Sequence, residues 1–279
     1  MNRLERKPAI VLALTALMFG LTTSAVAGTA CVVPDNGTGT PNLPPIGCDY
    51  TTPGDAFRII EGLPPDTTIE MEGILMNFSC DISSCTICTL SLPQGKCEMA
   101  GGSLGGHGHC FEATLDLTVA GTGSLAAFNR HLAVPICGEI HTAPRNPGDP
   151  VQAFVTDFYR CFGQLFGDPD FCTLRIKWGT DYGLPSPGHT TLTDLGNGTF
   201  DVDSFFDITY QIEFEGCPDS AALNGYAGTT TGRTRVVTGF EEGWPCEPRL
   251  DGSACLTVDC NSPGDECQPN SVNFDPATG

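Results

Sequence analysis

Across 279 residues the chain carries 33 acidic against 13 basic side chains, a net charge of −20, with 34 Gly, 22 Pro and 15 Cys. So large a negative excess repels polyanions, which excludes nucleic acid and anionic membrane surfaces as electrostatic partners. The Gly and Pro content works against long helices, and beyond residue 27 no run approaches the roughly 18 consecutive apolar residues of a transmembrane segment.

At the amino terminus Arg3, Arg6 and Lys7 precede a short apolar run, Ala9 to Leu21, and Ala25-Val26-Ala27 follows with small residues where a signal peptidase reads. Residues 1–27 are therefore expected to be a signal peptide cleaved after Ala27, sending the chain to the cell envelope or the extracellular space. Its removal leaves ten basic residues against thirty-two acidic ones, a net charge of −22. All fifteen cysteines lie beyond it, and in an exported chain that density reads as a disulfide framework. The odd count leaves one thiol over, available for self-association between chains. Acylation of Cys31 would also account for it, but Gly28-Thr29-Ala30-Cys31 has Gly where a lipoprotein signal carries an aliphatic residue, so a lipoprotein is not expected.

Residues 28–55 are rich in Pro, Gly and Thr and contain Cys31 and Cys48, the pattern of an irregular flap pinned by a bridge. From residue 56 to 238 short apolar runs alternate with period two, as half-buried strands do. Leu115, Leu117 and Val119 form one set and Leu132, Val134 and Ile136 another. Cys172, Leu174, Ile176 and Trp178 form a third, and Phe206, Ile208, Tyr210, Ile212 and Phe214 the longest. Gly121-Thr122-Gly123, Gly167-Asp168-Pro169-Asp170 and Gly196-Asn197-Gly198 separate the runs with residues suited to tight turns. The expected fold class is all-β, an antiparallel sandwich or barrel-like domain. Residues 239–279 hold Cys246, Cys255, Cys260 and Cys267 with almost no aliphatic runs, so cross-links must order this acidic tail.

The phrases Gly167-Asp168-Pro169-Asp170, Gly179 to Thr193, Val202 to Gly216 and Gly228 to Gly239 resemble a group of uncharacterised secreted proteins of environmental bacteria, over about residues 56–239. The resemblance implies a shared β-rich domain and carries no activity. The stretch Asp259 to Cys267 is loosely similar to calcium loops of the EF-hand and dockerin kind, with Asp259, Asn261 and Gly264 at the first, third and sixth places and Asp265 beyond. Pro263 in a ligand place and Asn270 where a bidentate Glu belongs mark it as degenerate, and a disulfide-bonded acidic loop is the expected state.

Five further patterns carry possible chemistry. Cys85-Thr86-Ile87-Cys88, with Cys80, Cys97 and Cys110 nearby, has zinc-ligand spacing, but export favours bridges over thiolates. Gly101-Gly102-Ser103-Leu104-Gly105 satisfies the nucleophile-elbow motif of α/β-hydrolases, yet no helix follows it, so it reads as a flexible glycine loop. His107-Gly108-His109, with Glu112 close behind, resembles the first metal motif of cupins, because two imidazoles two apart on a strand share a face. Ca2+ or a transition metal is thus the only cofactor in view. Cys161 and Cys172 flank a turn and are expected to bridge across a hairpin. Trp178 alternates with apolar neighbours and belongs to the core, whereas Tyr182 and Trp244 lie near loops where they can stack on a glycan.

No motif here assembles a complete active site. The expected function is that of a non-catalytic, disulfide-stabilised secreted or cell-surface structural or binding protein. The alternatives are a metal-dependent or hydrolytic extracellular enzyme and a carbohydrate-binding module.

Overall fold

A computed structural model describes residues 30–52, 57–80, 82, 85, 87–90 and 98–238, together with the backbone of 257–259 and 268–270. The strands are β1 (Val32–Pro34), β2 (Tyr50–Thr51), β3 (Phe57–Ile59), β4 (Ile69–Ser79), β5 (Glu98–Ala100), β6 (His107–Gly121) and β7 (Asn129–Thr142), then β8 (Val151–Leu165), β9 (Phe171–Trp178), β10 (Pro187–Asp194), β11 (Thr199–Gly216) and β12 (Ala227–Thr238). In the tail, β13 (Thr257–Asp259) and β14 (Gln268–Asn270) form a separate antiparallel pair.

Among the described residues every pairing is antiparallel, and the main sheet returns on itself. From β4 it runs through β6, β7 and β8 to β11, then through β12 and the short β2 back to β4. Between β8 and β11 the place is shared end to end: β10 pairs with the first half of each, and β9 with the second. The two long strands thereby hold both short ones in register. The fold is thus all-β, as the alternation requires, and barrel-like, one of the two architectures that the alternation leaves open. Closure pairs backbone groups that an open sheet would leave exposed at its edges.

The inward residues are those whose alternation marked them in the sequence. Leu115, Leu117, Val119, Leu132, Val134, Ile136, Leu174, Ile176, Trp178, Ile208, Tyr210, Ile212 and Phe214 are all buried in one core. Aromatic rings fill its centre, with Phe158 packed on Phe206 at 4.2 Å between ring centroids and meeting Trp178 edge-on at 5.9 Å. Gly138 is dictated by this packing, because any Cβ there would overlap the ring of Phe111. Segment 30–48 closes one end over a smaller core of Val33, Leu43, Phe154, Leu192, Phe200 and Val202, and the Cys31–Cys48 disulfide fixes it.

Two expectations are corrected. Cys172 does not continue the buried set of Leu174, Ile176 and Trp178. The register skips it where Gly216 pairs with Phe171, so Phe171 turns inward and Cys172 outward. For the same reason Cys161 and Cys172 cannot bridge. Cys161 is buried opposite Trp178, on the other face of the sheet, while Cys172 bonds to Cys217.

Candidate functional site

The outer face of β6, β7 and β8 carries an unusual run of polar side chains. Pairing sets Cys110 against Glu139, Gly108 against His141, and His141 against Asp157. Such positions on a barrel exterior are ordinarily wet, yet Glu139, His141 and Asp157 are all buried. Part of the connection between β4 and β5 lies over this face: Cys88 is bonded to Cys110, and Thr89 contacts Glu139. The loop 101–106 covers the rest. It is not a slack glycine loop, because Gly101 and Gly102 N–H donate to Gly106 O, Gly106 N–H donates to Thr142 O, and a Cβ at Gly102 or Gly106 would strike neighbouring backbone.

At the centre, Ser103 Oγ lies 2.8 Å from His141 Nδ1, and His141 Nε2 lies 2.8 Å from Glu139 Oε1. The Ser103 backbone N–H also donates to His141 Nδ1 at 3.1 Å. That nitrogen must therefore present a lone pair, which places the imidazole proton on Nε2, where it donates to Glu139. The Ser103 hydroxyl then donates to Nδ1, and a continuous relay runs from an exposed serine through a buried imidazole to a buried carboxylate.

Neighbours hold each member of the relay. Burial pushes Glu139 up, but hydrogen bonds from His141 and from the N–H and hydroxyl of Thr89, at 2.9 and 2.8 Å, outweigh it and keep the carboxyl below its usual range. The ring of His141 stacks on Tyr159 at 4.2 Å between centroids. A bulge in the β7–β8 pairing, between Glu139 and Ile140, leaves Tyr159 without a cross-strand partner and lets it turn onto the imidazole. Tyr159 is anchored in turn by its hydroxyl donating to Asp181 at 2.9 Å, and Asp181 also pairs with Arg160 at 2.6 Å. Burial raises Asp157 to about 6, although the Thr180 hydroxyl and His141 both work in the opposite sense. Two carboxyls thus flank one imidazole, one held ionised and the other protonated well above the ordinary range.

The residues singled out from sequence fall in several places. His107 and His109 do share a face, their rings 6.3 Å apart, but Glu112 points to the opposite side of β6 and cannot join them. The carboxylate near His109 is Glu98, at 3.3 Å from Nδ1, and Arg145 already holds that carboxylate at 3.1 Å. Burial, the cation of Arg145 and His107 together depress His109 strongly, so its imidazole stays neutral. A metal ion drawing on Glu98 would compete with the buried guanidinium of Arg145.

Cys88, Cys110 and Glu139 bring ligand-type atoms within 4.8 Å of one another, but both sulfurs are joined to each other and are not thiolates. Cys80 is also disulfide-bonded. Cys85 is not: its thiol shares a hydrogen bond with Cys137, which lowers Cys85 and raises Cys137. Trp178 is core, and Lys177 lies 5.8 Å over the ring of Tyr182, covering one of its faces. Cys97, Trp244, Cys255, Cys260, Asn261, Asp265 and Cys267 lie outside the described residues, as does the side chain of Asp259.

Sequence reading missed Glu139, His141 and Thr89. The available signal was Glu139-Ile140-His141, two ionisable residues two apart in a strand that otherwise reads as apolar. No protein-family model matches the chain, and no curated protein or solved structure matches it.

Proposed function

We propose that this chain is an exported protein that works outside the reducing cytoplasm, as a disulfide-stapled structural or binding unit of the cell surface or its surroundings. The observation that carries this reading is the distribution of cross-links. Cys31–Cys48 fixes the segment closing one end of the barrel, Cys88–Cys110 fixes the cover of the outer face, and Cys172–Cys217 joins the start of β9 to the segment after β11. Each bridge has at least one end in a segment outside the strands, and such bridges persist in oxidising compartments. The acidic surface supports solubility and self-repulsion outside the cell. Of the three cysteines with free thiols among the described residues, Cys85 and Cys137 are half-exposed and fit a role in joining chains, whereas Cys161 is buried.

The test is expression of the whole chain in an exporting bacterial host. The expected product is recovered outside the cytoplasm beginning at Gly28, runs faster on non-reducing than on reducing gels, and associates with itself or with the cell surface. Cytoplasmic retention with its thiols reduced, or an exported monomer that associates with nothing, overturns the reading.

A further inference from the structure

We propose that Ser103 is an activated nucleophile and that the face around His141 carries out acyl transfer from carboxylic esters, an activity beyond the structural role. Three observations on this face converge.

The first is the relay itself, with both of its links at 2.8 Å. The tautomer that the Ser103 N–H imposes leaves Nδ1 able to take the hydroxyl proton, and Glu139 faces the other nitrogen, where it stabilises the imidazolium that would form. The second is the division of burial. Ser103 is exposed while His141 and Glu139 are not, so the residue that would react faces solvent and the groups that activate it are shielded from water. A buried histidine serving only to tie down the loop would be satisfied by the Ser103 N–H and a neutral partner. It would not require an ionised carboxylate held by three donor groups. The third is the backbone next to the serine. Leu104 N–H donates to no acceptor among the described residues, and it follows the nucleophile directly, at the position from which a main-chain donor can serve a developing oxyanion.

The chemistry closes on these groups and water. Ser103 Oγ attacks the carbonyl carbon, its proton passes to His141 Nδ1, and the carbonyl π pair moves to oxygen. Collapse of that adduct breaks the bond to the alcohol, which leaves with the proton from Nδ1. Water then repeats the sequence on the acyl-serine, giving its proton to His141 as it attacks; the released serine oxygen takes that proton back, and the carboxylic acid departs. Ser103 and His141 are the catalytic residues, whereas Glu139 and Thr89 are positioning residues. A chain of net charge −20 repels anionic substrates, so uncharged esters are the class it would accept.

The test uses the exported full-length protein with a fluorophosphonate probe, read by intact mass and peptide mapping, and with p-nitrophenyl acetate, read as p-nitrophenol release. The expected result is one phosphonyl group on Ser103 and ester hydrolysis that this group abolishes. Ser103→Ala should lose both while keeping the wild-type circular dichroism and melting temperature, because its side chain is exposed. Glu139→Gln should slow labelling about a hundredfold. If that variant proves unfolded, Thr89→Val replaces it, and a labelling rate reduced by several-fold is expected. No adduct on folded wild-type protein, an adduct on another residue, or a rate indifferent to a folded Glu139→Gln or Thr89→Val variant overturns the proposal.

Discussion

Asp157 shows how one buried carboxyl ties the relay to the stability of the barrel. Its folded value of about 6 exceeds the ordinary 3.8, so between those two values the native state binds more proton than the unfolded chain. Its contribution is therefore complete below the lower value and is lost as pH rises through the upper one. A shift of this size is worth at most about 3 kcal/mol. Asp157→Asn keeps an acceptor for the Thr180 hydroxyl and has no charge to desolvate. The variant is expected to melt higher than wild type at pH 8 and to match it near pH 3.5. A melting difference that is the same at both values would refute this account.

The neighbouring residues differ in how visible they were beforehand. His107 and His109 announce themselves by spacing, and their shared face follows from strand geometry alone. What spacing cannot report is Arg145, which folds in from 36 residues beyond His109 and claims the nearby carboxylate. Ser103 is visible as a motif, but no helix follows it, so the sequence alone reads there as a glycine loop. Its partner reaches it through a loop and a register, neither of which a motif encodes.

At the scale of elements, the strands and their inward faces were legible because burial of one face imposes a period of two. Cys172 is the instructive exception. One skipped residue in the β9–β11 register inverts a side chain, and a single bulge is too local to disturb the pattern of apolar letters around it. The bulge in the β7–β8 pairing is a second case, and it turns Tyr159 onto His141.

The bridges can be compared on the same footing. Cys172–Cys217 spans 45 residues and Cys31–Cys48 spans 17, so loop-closure entropy makes the first worth about 4 kcal/mol and the second about 3 kcal/mol. The longer bridge also sits beside a polar cluster in which Arg130 pairs with Asp168 and Asp170, and the Ser220 hydroxyl donates to Asp170 at 2.6 Å. Replacing both of its cysteines by Ser should therefore lower the urea midpoint more than the same change at Cys31 and Cys48. The reverse order would count against the entropic reading.

Over the whole molecule, the cysteines separate into classes that chemistry can read. Cys161 is fully buried against the aromatic core and burial pushes its thiol well up, whereas Cys85 and Cys137 sit half-exposed on the outer face. Iodoacetamide should leave Cys161 unmodified in the native protein and alkylate it once denaturant opens the barrel without reductant. Peptide mapping after each treatment checks this. Equal reaction at Cys161 in both states would mean that the core is not closed.

Composition and alternation by themselves determined an acidic, cysteine-rich, all-β chain, along with most of the side chains that fill its core. These are local or summed properties, and each can be read within a few residues or over the whole chain at once. Closure of the sheet, the pairings Cys88–Cys110 and Cys172–Cys217 and the meeting of Ser103, His141 and Glu139 were decided only in the tertiary structure. They depend on strand register, and a shift of one residue moves every side chain to the other face while leaving composition and period unchanged.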